Sequence, residues 1–228
     1  MASLKIGQTT IKTVIFDFDG TLAKLTIDFS KMRSDIEALV ASYRIIPQEL
    51  KTTFVLETIV AAHDLIRRQS AQQADAFFSR ANRMIEDIET QGAQNGHLFG
   101  WTKDLLESLQ AAKISCGIIT RNCARAVNMV FPDILTYCPV VVCRDDVRRV
   151  KPHPEHIRLA LDRLGALPDN TLMVGDHPID ITTGRNARTL TCGVLTGRCP
   201  KENFVAAGAD LVLGNAAEIL SILKIADG

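Results

Sequence analysis

Apolar residues change their spacing twice along this chain, and the changes divide it. Residues 1–11 form a polar lead-in. Val14, Ile15 and Phe16 then stand together, a run short and β-prone enough to predict a buried strand. From about Lys24 to Gln91 the apolar positions recur at helical spacing instead. Ile36, Leu39, Val40 and Tyr43 mark a first helix. Phe54, Leu56, Ile59 and Val60 mark a second, with Pro47 suited to its first turn. Ala74, Phe77, Phe78, Ala81, Met84, Ile85 and Ile88 mark a third, and Gly92 and Gly96 end the run. The pattern predicts a small helical bundle, residues 23–92, inserted into a domain built from 1–22 and 93–228.

Past the insert, short apolar runs alternate with amphipathic ones. The spacing predicts helices over Thr102–Ala112, Asn122–Val130, Pro154–Leu164, Pro178–Ala187 and Ala216–Leu223. It predicts strands over Ile114–Ile119, Val140–Val142, Leu172–Val174, Gly193–Leu195 and Leu211–Leu213. Alternation of this kind implies an α/β fold, a Rossmann-like parallel sheet covered by helices on both faces.

Composition narrows the function classes. With 46% hydrophobic residues the chain can build a sizeable core, and its 26 basic residues balance 26 acidic ones. No net charge points to nucleic acid as a partner. The opening M-A-S-L-K-I-G-Q lacks the apolar region of a signal peptide, and no apolar run nears the ~20 residues that span a bilayer. The expectation is a soluble, cytoplasmic protein with no membrane partner, a monomer or homodimer. Cys116, Cys123, Cys138, Cys143, Cys192 and Cys199 contain no C-x-x-C pair and read as reduced thiols, mostly in the core. Neither G-x-G-x-x-G nor a Walker A sequence occurs, so dinucleotide and P-loop readings lose their main support.

In an open α/β sheet, ligands bind beyond the carboxyl ends of the strands, and the unusual polar residues stand there. The first strand runs into Asp17-Phe18-Asp19-Gly20-Thr21. Two acids ending a buried strand are costly unless they hold a cation or do proton chemistry, although Asp-Gly alone is also a common turn pair. The strand ending at Ile119 is followed by Thr120, Arg121 and Asn122. Lys151 lies in V-K-P-H-P, just before a helix, and the strand ending at Val174 runs into Gly175-Asp176, with Asp180 four residues on.

Taken in order, D-F-D-G-T, Thr120 after an apolar strand, Lys151 before Pro152, and G-D-H-P-I-D resemble the four motifs of the haloacid dehalogenase-like hydrolase superfamily. The helical insert resembles the cap of the subfamily that includes phosphoglycolate phosphatase and β-phosphoglucomutase. The resemblance implies that Asp17 attacks phosphorus and forms a phosphoaspartate, a covalent route that splits one displacement into two easier ones. It implies that Asp19 serves as general acid and then general base. It assigns Mg²⁺ to the Asp17 carboxylate, the Asp19 backbone carbonyl and the Asp176 carboxylate, and phosphate binding to Lys151, Thr120 and nearby backbone N–H groups. Gly20, Thr21, Arg121, Asn122, Gly175 and Asp180 support them, with Asp180 orienting Lys151 or a metal-bound water. The second acid of the D-x-D pair favours phosphoryl transfer over dehalogenation.

The expected activity is therefore a Mg²⁺-dependent phosphatase acting on a small phosphate ester, phosphoglycolate-like by resemblance. A sugar phosphomutase and a non-catalytic binding protein are the alternatives. Other residues read plainly. His153 and His156 form H-x-x-H without an obvious third metal ligand, which favours packing or solvated histidines. His177 is expected at the site edge, and Arg121 to help with phosphate or pair on the surface. The run from Arg144 to Arg149 mixes signs, as a solvated loop does. Phe99 and Trp101 are expected to pack, and His63, Arg67 and Arg68 to lie on an exposed helix face.

Overall fold

A computed structural model describes residues 2–225. These fall into two compact units, one of Thr26–Asn95 and one formed by the chain on either side of it. The outer unit begins with β1 (Ala2–Ile6), β2 (Thr9–Ile11), β3 (Thr13–Phe16) and β4 (Ala23–Lys24). The helical unit follows, with α1 (Phe29–Ser42), α2 (Val55–Arg67) and α3 (Ala71–Ala93). The outer unit resumes with β5 (His97–Leu98), α4 (Thr102–Ala111), β6 (Ser115–Ile119), α5 (Ala124–Val130), α6 (Ile134–Tyr137) and β7 (Val140–Val142). It ends with α7 (Pro154–Leu164), β8 (Thr171–Gly175), α8 (Pro178–Ala187), β9 (Leu190–Val194), α9 (Lys201–Ala207), β10 (Leu211–Leu213), α10 (Ile219–Ile222) and β11 (Leu223–Ile225).

The main sheet has six strands in the order β10-β9-β8-β3-β6-β7, every pair parallel. All four residues of β3 and all five of β8 are buried, as a sheet covered on both faces requires. Ile15, Ile119, Val142 and Met173 meet Ile157, Ala160 and Leu161 of α7 and Ala187 of α8 in one core cluster. Register then sets the site. Phe16 pairs with both Ile118 and Val174, so the segments after β3, β6 and β8 emerge at one edge. Proline at the first turn starts α7 and α8. Gly165, at φ +62°, ends α7 in the left-handed conformation that glycine accepts most readily.

In the helical unit, Asp28 and Ser70 cap α1 and α3 by accepting the N–H of Lys31 and Gln73. The Tyr43 and Phe77 rings meet edge to face, 5.3 Å apart. Ile59, Ala62 and Ile66 are the buried stripe of α2, while Val60 and Phe78 are exposed. Pro47 opens a separate 3₁₀ turn, Pro47–Leu50, rather than the second helix, which begins at Val55.

The structure departs from the sequence expectation mostly where elements are short. The lead-in is a hairpin, β1 with β2, whose first strand also pairs antiparallel with β11. Leu4 and Ile11 are buried there, too few apolar positions to mark strands in advance. The predicted final helix is a 3₁₀ turn, Ala216–Glu218, then α10 and β11. The strand expected at Gly193–Leu195 is β9, Leu190–Val194, leaving Leu195 outside and exposed. Helix α5 begins at Ala124, with the Cys123 thiol as its cap. Helix α9 was hidden because it buries Phe204 and exposes Val205. Arg144, expected in a solvated loop, is buried beside the Asp145 carboxylate at 3.4 Å.

Candidate active site

The chain turns sharply after β3. Asp17 still belongs to the sheet through its N–H, which donates to Val174 O at 2.8 Å. Phe18 is fully buried, and its carbonyl accepts from the N–H groups of Leu22 and Ala23 at 2.9 and 3.0 Å. Gly20 carries the bend at φ +85°, and a Cβ there would fall 2.2 Å from Asp176 Oδ2. Both the backbone conformation and the close approach of a carboxylate demand glycine at this point. The buried Thr21 directs its hydroxyl toward Asp176 Oδ1, a long contact of 3.5 Å. Asp19 is turned onto the chain that follows, its Oδ1 accepting from Leu25 N–H at 2.8 Å.

Lys151 is the centre of the charge pattern. Its side chain is buried, with Nζ 2.5 Å from Asp17 Oδ1 and 2.7 Å from Asp180 Oδ1. Burial pulls the amine downward, but the Asp17 and Asp180 carboxylates outweigh it and raise the lysine above its ordinary range. Asp180 sits in the first turn of α8 and completes a capping box, its Oδ2 accepting from His177 N–H at 3.2 Å. Any Cβ on Gly175 would lie 2.2 Å from Asp180 Cγ, which explains the glycine before Asp176. His177 caps the same helix, its Nδ1 accepting from Ile179 N–H at 3.1 Å.

Thr120 and Asn122 are buried at the end of β6, the strand next to β3. The Thr120 N–H donates to Val142 O at 3.0 Å, and its hydroxyl accepts from Asn122 N–H at 3.2 Å. Arg121 donates from Nη1 to the Lys151 carbonyl. Of the residues singled out in the sequence, Asp17, Lys151, Asp176 and Asp180 therefore converge, with Gly20, Thr21 and Gly175 fitted around them.

Asp17, Asp176 and Asp180 each present an oxygen within 4.8 Å of the others. Three carboxylates around one ammonium leave negative charge in a buried space. Burial pushes Asp176 up to about 9, and the Asp17 and Asp180 charges add to it. Burial likewise pushes Asp180 up to about 6. A hard divalent cation suits an all-carboxylate set of this kind and would relieve the repulsion. The donor set therefore fits Mg²⁺, with Asp180 joining the carboxylates expected from the sequence.

Sequence reasoning missed the segment after β9. Thr196 donates its hydroxyl to Gly20 O at 2.5 Å, and a Cβ on Gly197 would lie 2.0 Å from Asp176 Oδ2. Next comes Arg198, an exposed side chain whose charge pulls the Asp19 carboxyl downward. The signal was present as T-G-R directly after a strand of the parallel sheet. The apolar Leu195, which lies beyond the end of β9, masks it.

The model of the family described as haloacid dehalogenase-like hydrolase matches residues 14–194. The pyrophosphatase PpaX of Anoxybacillus flavithermus is 32% identical over 224 residues, covering 94% of this chain and 98% of its own. The pyrophosphatase PpaX of Oceanobacillus iheyensis is 28% identical over 220 residues, covering 94% and 97%. Among solved structures, CbbY from Rhodobacter sphaeroides in complex with phosphate aligns with a TM-score of 0.62 at 22% identity, covering 94% of this chain and 100% of that one. This last likeness is one of fold.

Proposed function

This chain belongs to the haloacid dehalogenase-like hydrolase family, and from that premise we propose that it is a Mg²⁺-dependent phosphatase of small phosphate esters. The observation that carries the proposal is Lys151 held between Asp17 and Asp180 beside Asp176, at the carboxyl edge of a parallel sheet. Asp17 is the nucleophile. Its oxygen attacks phosphorus, the bond to the leaving oxygen breaks, and a phosphoaspartate forms. Asp19 gives the departing oxygen its proton. Burial raises this carboxyl to about 7, the bond from Leu25 only partly offsetting it, so it carries a proton near neutrality. A water then attacks the phosphoaspartate, Asp19 takes its proton, and Asp17 is regenerated.

Lys151 places a compact cation where charge develops on the phosphoryl group, and Asp180 holds it there. Thr120 and Asn122 supply donors at the neighbouring strand end. Asp17 and Asp176, with the Asp19 carbonyl and Asp180 beside them, would hold Mg²⁺, whose chemistry is to neutralise and orient the phosphoryl oxygens. The helical unit is assigned the role of a cap that chooses the leaving group. The relatives named pyrophosphatase make inorganic pyrophosphate, an anhydride open to the same attack at phosphorus, the first substrate to try beside the esters, with phosphoglycolate second. Each carries an anion on its leaving group, which Arg198 suits.

Phosphate release from p-nitrophenyl phosphate, pyrophosphate and phosphoglycolate, with Mg²⁺ and with EDTA, tests the proposal. Metal-dependent release that vanishes in Asp17→Asn supports it. No release from any of the three by the wild-type protein overturns it. Conversion of β-glucose 1-phosphate to the 6-phosphate would assign the same site to a mutase instead.

A further inference from the structure

One buried group at the edge of this site has no part in the chemistry described so far. His156 lies in the first turn of α7 and is fully buried. Its ring makes two hydrogen bonds to main chain. Nδ1 accepts from Lys151 N–H at 3.2 Å, and Nε2 lies 3.0 Å from Val142 O. A carbonyl oxygen only accepts, so Nε2 carries the proton. An N–H group only donates, so Nδ1 is bare. The two contacts together leave one form of the ring, the neutral imidazole protonated at Nε2.

The partners matter more than the ring. Val142 O also accepts from Thr120 N–H at 3.0 Å. The Lys151 peptide is gripped from its other side too, its carbonyl accepting from Arg121 Nη1. His156 thus ties the segment that carries Lys151 to the strand end that anchors Thr120. Nζ of Lys151 reaches Asp17 from this fixed stem.

We infer that His156, as the neutral Nε2-protonated imidazole, is a positioning residue that fixes the Lys151 main chain and through it the contact of Lys151 with Asp17. The inference rests on the phosphatase reading for its effect on rate, but not for the hydrogen bonds themselves. The charged groups that bear on the ring are Lys151, Arg121 and Asp146, and burial with the Lys151 charge holds the imidazole at about 3. It is therefore neutral at pH 7.

Two near-isosteres divide the ring's functions. The amide oxygen of Asn stands where Nδ1 does, and the amide nitrogen of Gln stands where Nε2 does. His156→Asn therefore keeps the acceptor for Lys151 and gives up the bond to Val142, whose oxygen still has Thr120. His156→Gln keeps the bond to Val142 and leaves Lys151 N–H without its acceptor.

The expected result is a kcat within about threefold of wild type for His156→Asn and lowered about thirtyfold or more for His156→Gln, with KM little changed in both, since misplacing a reacting group by about an ångström costs on that scale. Amide hydrogen exchange at Lys151, read whatever the activity, should stay slow in wild type and His156→Asn and quicken in His156→Gln. Equal kcat and equal exchange in the two variants would overturn the inference, as would a ¹⁵N-histidine spectrum showing the wild-type proton on Nδ1. A wild-type protein with no phosphatase activity but the expected exchange pattern would remove the reading of the site and leave the hydrogen-bonded latch standing. Should His156→Gln fail to fold, His156→Asn must still match wild type in kcat and in Lys151 exchange, and a loss in either overturns the inference.

Discussion

Asp176→Asn replaces an ionisable group in a buried cluster by a neutral one and keeps the shape of the side chain. Its effect on stability follows from the proton that Asp176 holds in the fold. The carboxyl titrates at about 9 there against 3.8 in the unfolded chain. A carboxyl whose pKa is raised by folding contributes fully below 3.8 and loses that contribution as pH climbs toward 9. At about 1.4 kcal/mol per pH unit, the interval from 3.8 to neutrality costs the metal-free wild-type protein about 4 kcal/mol. Asparagine is neutral throughout and escapes that cost. In EDTA at pH 7 the variant should therefore be more stable by about 4 kcal/mol, a rise of roughly 10 °C in Tm. The gain should shrink toward zero as pH falls to about 4. Mg²⁺ should reverse the order by stabilising wild type and leaving the variant unmoved. Urea melts of both proteins from pH 4 to 8, in EDTA and in Mg²⁺, measure this, with phosphate release assayed beside them. A variant that is no more stable than wild type at pH 7 without metal would refute the reasoning, because Asp176 would then not be held against its own charge.

Three other perturbations follow from the same geometry. Gly175→Ala puts a methyl group 2.2 Å from Asp180 Cγ and should lower kcat by about a hundredfold through displacement of Lys151, read by steady-state kinetics. Arg198→Ala should cut kcat/KM for pyrophosphate by about tenfold or more, the scale of one charge-assisted contact, and leave p-nitrophenyl phosphate within about twofold. His156, neutral in the fold and at about 3, should drain stability as pH falls below 6.5, at about 1.4 kcal/mol per unit, because the unfolded chain gains a proton that the fold refuses. The acid limb of a stability–pH curve should accordingly be flatter in His156→Asn.

The residues that converge at this edge were legible for a physical reason. An acid or a threonine directly after a strand is placed by the sheet, and a parallel sheet brings all such ends together, whereas Lys151 reaches the same edge from the loop between β7 and α7. Gly20 and Gly175 were visible as letters, while their reason, a carboxylate lying where a Cβ would stand, arises only in the fold. The work done by His156 was not legible, because its partners are a peptide N–H and a carbonyl, and the main chain leaves no mark in a sequence. H-x-x-H suggests a pair, yet His153 caps α7 with its ring while His156 turns inward to Lys151 and Val142. The terminal strands were illegible for another reason. Ala2 pairs with Ile225, nearly the whole chain away, and no local pattern announces so distant a partner.

The two-residue ladder of β4 and β5 sets Lys24 opposite His97. Thr102 Oγ1 and Phe99 N–H both bond Leu22 O just below it, at 2.6 and 3.1 Å. The chain thus leaves the outer unit and re-enters it through one small stem. Antiparallel strands so placed need only a two-residue turn to join them. Whatever is threaded through that stem can be lengthened, exchanged or deleted in evolution without rerouting a single strand of the sheet. Under the role proposed above for the helical unit, the chemistry is inherited while the choice of substrate is rewritten, and in the laboratory the same stem is the place to cut and graft.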